Sequence, residues 1–288
     1  MAEISASAVM KLRKISGQGM MDCKNALNES KGNVEKAMEL LRKKGLATLA
    51  KRADRETSEG LVVTKTSDDG KIVVLASLCC ETDFVSKGDD FGAMADKLAN
   101  YAYKCDADQG VENILETELD GKKFRTVLTD TVSKMGEKME VGDYAKYKLD
   151  APGLITTYIH FNKKVGAMIQ LQADKDSVAS SDVVKRALAD IAMHITAINP
   201  LALDKNGIDP AKIEQEKVIF EDQVKDKPEN MREKIIQGKL NKFYAENCLL
   251  SQAFVKDDSK TVTQVIEEAA KKAGGKAEIV KFVRFAVG

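Results

Sequence analysis

The chain carries two versions of one short plan, and this repeat constrains the fold more than any other feature. The first version reads LVVTKTS-DDG-KIVVLASL, two strand-like runs joined by an Asp-Gly turn, followed by a helical run from Asp90 to Lys104. The second reads GLITTYIHF-NKK-VGAMIQLQAD and is followed by SDVVKRALADIAMHITAI. Laid over each other, Leu61 falls on Leu154, Val62 on Ile155, Thr64 on Thr157, Ile72 on Val165, Leu75 on Met168, Leu98 on Ile191 and Ala99 on Ala192. Strand runs followed by helical spacing predict a ββα unit made twice, an α+β class with a duplicated core and antiparallel sheets.

The stretch CCETDFVSKGDDF, from Cys79 to Phe91, joins the second strand of the first copy to its helix. A polar turn of this kind has no evident need for Phe84. The ring either tucks under the turn into the core or points outward into another molecule. In the second copy Asp83, Phe84 and Val85 fall on Asp176, Ser177 and Val178. The turn therefore forms with serine in place of the ring, which gives weight to the outward alternative.

Regions outside the repeat have their own patterns. Residues 4–45 read as three short helices joined by glycine turns, a small bundle. Ser5 or Ser7 caps the first, which ends before Gly17, while Asn33 caps the third and Gly45 follows its last turn. Six basic residues lie between Arg42 and Arg55. They suit either an acidic partner or a solvated helix end and linker. Residues 111–140 read as helical and link the two copies. Beyond Pro210, the seams Ile213, Phe220, Val224 and Ile236, Leu240, Phe243 are narrow, with charge on the remaining faces. That pattern predicts a protruding antiparallel helical (coiled-coil) hairpin broken at Lys227-Pro228. The end reads as a helix, a Gly-Gly turn and a strand that rejoins the second sheet. The expected segments are residues 1–54 (three-helix domain), 55–150 (first core subdomain), 151–208 (second core subdomain), 209–247 (hairpin insertion) and 248–288 (return of the second subdomain).

Composition excludes several functions. Lys and Arg number 45 and Asp and Glu 45, for a net charge of zero, which argues against direct nucleic-acid binding through excess positive charge. No apolar run approaches the roughly 20 residues that span a bilayer. The start MAEISASAVMKL lacks the pattern of a signal peptide, so neither a membrane nor export is expected and the cytoplasm is. Five cysteines show no CxxC pair, and Cys79 and Cys80, adjacent on a strand, point to opposite faces. Reduced, buried thiols are expected rather than a metal site. No phosphate-binding loop or dinucleotide turn is present, so no cofactor is expected. His194 lies in an apolar helical run and reads as a satisfied core residue. An enzyme would have to combine Cys79 or Cys80 with His160 and Asp83, and these sit in no nucleophile motif. A non-enzymatic protein that works by contact is expected.

Four stretches, GQGMMDCKNAL, KGNVEKAMELLRKKG, ETDFVSK and DIAMHITAINP, occur in this order and resemble the bacterial elongation factor Ts family across nearly the whole chain. The resemblance implies guanine-nucleotide exchange on elongation factor Tu, bound to GDP or nucleotide-free. It also implies a ubiquitin-associated-like three-helix N-terminal domain, a duplicated core and a coiled-coil hairpin. By the same resemblance Thr82, Asp83, Phe84 and Val85 match the motif that displaces the partner's magnesium. Met20 and Met21 match a contact with the partner's nucleotide-binding domain, and His160 a region facing its third domain. Family members often continue beyond the strand matching FVRFAVG into a short helical module, whose contact is expected to be missing here. The alternative reading is an adaptor that binds ubiquitin-like or nascent chains through the N-terminal three helices.

Overall fold

A computed structural model describes residues 4–288; the reading of the start for a signal peptide falls partly on residues 1–3, outside the described residues. The chain forms two compact units, one of residues 1–65, 74–146 and 286–288, the other of residues 66–73 and 147–285. Helices and small antiparallel sheets make up both, so the α+β class expected from the sequence is the class observed.

The first unit opens with α1 (Ala6–Ser16), α2 (Met20–Glu29) and α3 (Val34–Lys51). Ser5 caps α1 by accepting the Ala8 N–H, and Gly17 closes it at φ 67°, a left-handed conformation that glycine adopts without a Cβ penalty. Asn33 caps α3 by accepting the Lys36 N–H at 2.9 Å. Val9, Leu12, Cys23, Ala26, Leu27, Ala37 and Leu41 form the bundle core. Gly45 does not end α3, which runs on to Lys51. Glycine is needed there for close approach instead: a Cβ on Gly45 would fall on the Ser133 hydroxyl and 3.3 Å from Ser133 Cα.

The rest of this unit contains β1 (Glu59–Thr66), β2 (Ile72–Cys80), the single turn α4 (Asp83–Ser86), α5 (Asp89–Lys104), α6 (Val111–Glu116), the short pair β3 (Glu118–Leu119) and β4 (Lys122–Lys123), α7 (Phe124–Met135) and β5 (Met139–Lys148). Residues 111–140 are thus not a helical link. They form two helices separated by a small antiparallel hairpin and lead into β5, which lies beside β2 in a sheet ordered β1-β2-β5. The run MEVGDYAKYK buries Met139, Val141 and Tyr144, and sheet pairing overrides its modest local signal.

The second unit repeats this plan with β6 (Gly153–Ile159), β7 (Val165–Ala173), α8 (Asp176–Ala179) and α9 (Asp182–Ile198). Alternate residues Val74, Ala76, Leu78 and Cys80 of β2 face one core, and the matching Ala167, Ile169, Leu171 and Ala173 of β7 face the other. Such period-two burial is what a strand with one face on a core requires. β6 and β7 pair antiparallel from Gly153↔Gln172 to Ile159↔Gly166.

After α9 come α10 (Pro210–Gln223) and α11 (Glu229–Asn247), then the short β8 (Ala253–Phe254) and β9 (Asp257–Thr261), α12 (Val262–Lys272) and β10 (Ala277–Ala286). α10 and α11 pack on each other, with Val224 and Leu240 buried and the other seam residues half-buried. Ile213 and Phe243 pack at the base against Ala202, Ile208 and Cys248. β10 lies beside β7 in a sheet ordered β10-β7-β6.

The duplication is longer than the ββα unit. Gly136-Glu137-Lys138 between α7 and β5 corresponds to Gly274-Gly275-Lys276 between α12 and β10. Both leading glycines have positive φ, 74° and 81°. Each copy is thus a strand hairpin, a short turn, a long helix, and later a helix and third strand.

His194 is fully buried and satisfied, as its apolar helical run implies. Its Nδ1 accepts the Val255 N–H at 3.2 Å and Nε2 lies 2.9 Å from Gln252 Oε1.

Candidate functional site

The buried strand β2 delivers its chain to the surface at Glu81, and the next residues reverse direction in one helical turn. Thr82 starts that turn in an extended conformation (φ −127°, ψ 155°), and its Oγ1 accepts the Val85 N–H at 3.4 Å. Such a cap satisfies an amide that a helix start leaves without an intrahelical partner. Val85 packs inward against the first core and Ser86 is buried. With those two anchored, the α4 geometry turns Phe84 outward, where it is 87% exposed. The ring does not tuck into the core.

Thr82 is itself held. Its hydroxyl donates to the Glu137 carboxylate at 2.9 and 3.0 Å, and its backbone N–H donates to Glu137 Oε2 at 3.2 Å. Immediately before Thr82, Glu81 is nearly buried, its side chain 9% exposed. Arg52 donates to both its oxygens at 2.7 and 2.9 Å, Arg55 to Oε2 at 2.8 Å, and the Lys138 N–H to Oε1 at 2.6 Å. Burial pushes the Glu81 carboxyl up, but the Lys138 N–H and the two guanidinium groups outweigh it and hold the pKa at about 2. The basic segment is therefore tied down in part: Arg52 and Arg55 serve the base of this turn, and Lys44 pairs with Asp22 at 2.5 Å.

Asp83 is partly exposed, and Lys87 one turn on pairs with it at 2.7 Å. That hydrogen bond and charge hold its carboxyl below the usual carboxylate range. The surface thus presents an aromatic ring flanked by a fixed carboxylate.

The chemistry of the adjacent thiols runs opposite to nucleophilic catalysis. Burial first, then the Glu140 and Asp143 charges, push Cys79 up to about 11. Burial and Glu137 push Cys80 up to about 12. A nucleophilic cysteine needs its thiolate stabilised, and these are held as thiols. All five cysteines are free. Among the described residues no group of His, Cys, Asp and Glu is arranged to hold a metal ion, and no helix is long and apolar enough to cross a membrane.

Of the other residues singled out from the sequence, Met20 and Met21 begin α2 and are 42% and 63% exposed. They belong to the same compact unit as the Thr82–Val85 turn, whereas His160 belongs to the other. His160 follows β6 at the hairpin turn and is half-buried, its Nδ1 3.3 Å from the Tyr158 hydroxyl. Its ring centroid lies 4.5 Å from that of Phe161, which is 88% exposed. Phe161 was legible by the reasoning that marked Phe84, an aromatic ring inside the polar turn HFNKK. Glu137 and Lys138 carried no local signal, and the basic run that includes Arg52 and Arg55 did not show what it pairs with, because the partners lie far along the chain.

Comparison with known proteins adds an independent line. A family model described as Elongation factor TS matches residues 81–288. Proteins named Elongation factor Ts include one from a Nitratiruptor species, 42% identical over 287 residues that make up 99% of this chain and 93% of the relative. One from Clostridium botulinum is 42% identical over 288 residues, again 99% and 93%. One from Clostridium acetobutylicum is 40% identical over 288 residues, 99% of this chain and 92% of the relative.

Proposed function

The chain belongs to the elongation factor Ts family and is a translation elongation factor, and on that premise we propose that it is a guanine-nucleotide exchange factor for elongation factor Tu. It binds the GDP-loaded partner and promotes GDP release by disturbing the partner's magnesium and phosphate site. The observation that carries this reading is Phe84, an exposed ring on a turn whose start is held by hydrogen bonds to Glu81 and Thr82 and whose end is anchored by Val85 and the buried Ser86.

The physics of a wedge fits such a ring. Burying a phenylalanine in a crevice of the partner supplies about 1.5–3 kcal/mol. Because the turn is fixed beforehand, little of that is lost to ordering it on binding. Magnesium in a nucleotide site demands near-ideal octahedral geometry, so small shifts of its ligands weaken it. Asp83, beside the ring, brings a negative charge towards the same region. In this reading Thr82 and Val85 hold the turn, and Met20, Met21 and His160 make further contacts with the partner. No bond is made or broken by this chain, which acts in the cytoplasm by contact and without nucleic acid or a cofactor of its own.

The reading has a thermodynamic test. A factor that weakens nucleotide binding must be bound less tightly by the nucleotide-loaded partner, by the same factor, because the coupling free energy is shared. Calorimetric titration of elongation factor Tu, nucleotide-free and GDP-loaded, with and without magnesium, should give weaker binding to the GDP-loaded form. Removing magnesium should narrow the difference. Equal affinity for the free and loaded forms would leave nothing to drive exchange.

A further inference from the structure

We infer that Glu137 is a positioning residue that sets the Phe84 turn before the partner arrives. The inference rests on the exchange reading above and concerns how the wedge is held.

The two copies of the fold supply the argument. Where the first has Thr82, Phe84 and Glu137, the second has Lys175, Ser177 and Gly275. Lys175 makes no side-chain cap to its turn and donates its ammonium to the Gly274 carbonyl at 2.8 Å instead, and Gly275 has no side chain to reach the turn. Both turns form nonetheless. The chain therefore does not need the Glu137–Thr82 contact to make the turn. It is present in the copy that exposes an aromatic ring and absent from the copy that does not.

The geometry says what the contact does. The Thr82 hydroxyl proton is directed at Glu137, with both carboxylate oxygens within 3.0 Å. That leaves an Oγ1 lone pair facing the Val85 N–H. Glu137 also takes the Thr82 N–H. One carboxylate thus fixes both the residue that starts the turn and the direction of its cap, and Phe84 lies between the two capped positions. Hydrogen bonds chained in this way polarise one another. A shared feature is the carboxylate at the strand end: Glu81 accepts the Lys138 N–H and Asp174 the Lys276 N–H. That contact belongs to the fold, whereas Glu137 is an addition.

The experiment compares Glu137→Ala, Glu137→Gln, Thr82→Val and the Glu137→Ala/Thr82→Val double variant with the unaltered chain. It measures GDP release from elongation factor Tu at saturating factor, and thermal unfolding on the same samples. Glu137→Ala should lower the saturating rate about tenfold or more, the scale of a lost charge-assisted hydrogen bond. Glu137→Gln, which keeps an acceptor oxygen for Thr82, should recover most of it. Thr82→Val should match Glu137→Ala, and the double variant should lose no more than either single one, because both remove the same link. A purely structural role would show as a lower unfolding midpoint with a normal rate per folded molecule. A normal rate in Glu137→Ala, or additive losses in the double variant, overturns the inference. Phe84→Ser is run alongside: if it too exchanges normally the exchange reading fails, and if it alone is slow only the positioning role fails.

Discussion

The turns α4 and α8 occupy the same place in two copies of one fold, yet they present different surfaces. Both follow a buried strand, both anchor a valine inward (Val85 and Val178), and both lead into a long helix. At the outward position one shows a phenylalanine that is 87% exposed and the other the exposed Ser177. Fold stability explains the valines, since they fill the cores. It does not explain Phe84, which buries almost nothing within the chain. An exposed ring at a position where serine suffices is what the proposed exchange role asks of this surface. The neighbours differ as well: Glu137, Arg52 and Arg55 hold the start of the first turn, whereas at the second Lys175 donates to the Gly274 carbonyl.

Four changes test this contrast. The largest effect is expected from Phe84→Ser, which writes the second copy's residue into the first. Stimulated GDP release should fall by about one to two orders of magnitude, corresponding to roughly 1.5–3 kcal/mol of lost ring burial. The thermal midpoint should stay put. A large loss of stability with normal exchange would mark Phe84 as a structural residue and dissolve the contrast.

Gly45→Ala should come next, destabilising the first unit by about 1–3 kcal/mol because the added methyl overlaps Ser133 at the α3–α7 crossing. Denaturant unfolding would register it. A neutral result would mean that α3 and α7 separate without penalty, and with it the bracing of the first turn by the segment that follows α3.

The third change is in pH. Tyr101 and His194 are equivalent positions in the two copies. The Tyr101 hydroxyl donates to the Leu119 and Lys122 carbonyls, at 3.2 and 2.9 Å. Burial holds the His194 imidazole below its ordinary 6.5, although the Gln252 contact opposes the shift. The unfolded chain therefore takes up a proton at pH values where the folded chain does not. The stability this represents is complete above 6.5 and is lost as pH falls towards the folded value. Glu81, also depressed but at about 2, contributes stability that is full above 4.5 and lost only as pH falls through about 2. Between about pH 7.5 and about pH 5.5 the unfolding midpoint should fall with pH through the second unit, and His194→Gln should flatten that dependence. An unchanged slope in His194→Gln would assign the dependence elsewhere.

The smallest effect is expected from Ser177→Phe. It should shift stability by no more than about 0.5 kcal/mol, being a surface change, and should neither raise nor lower exchange. Enhanced exchange would show that any exposed ring on either turn serves, and that the bracing of the first is incidental.

Much of this architecture was legible in the sequence. The repeat placed β2 on β7 and α4 on α8, and the unneeded ring at Phe84 stood out against Ser177. Caps at Ser5 and Asn33 follow from local hydrogen bonding by short polar side chains. Gly45, by contrast, looks like a helix end, since a glycine after a basic stretch has that local signature, and residues 111–140 look helical, which α6 and α7 are and the stretches around them are not. Both readings failed for one reason: the deciding partner, Ser133 for Gly45 and β2 for β5, lies elsewhere in the chain.

That division has a physical basis. Hydrophobic period, turn chemistry and capping act within a few residues, so the paired units, the helical hairpin and the presence of an unneeded ring in the first turn could be read locally, while the direction of that ring could not. What braces the ring depends on groups brought together from distant parts of the chain. The Glu137–Thr82 and Glu81–Arg52 contacts join residues 55 and 29 positions apart. Their strength comes from desolvation and convergence, which exist only once the chain has brought those groups together.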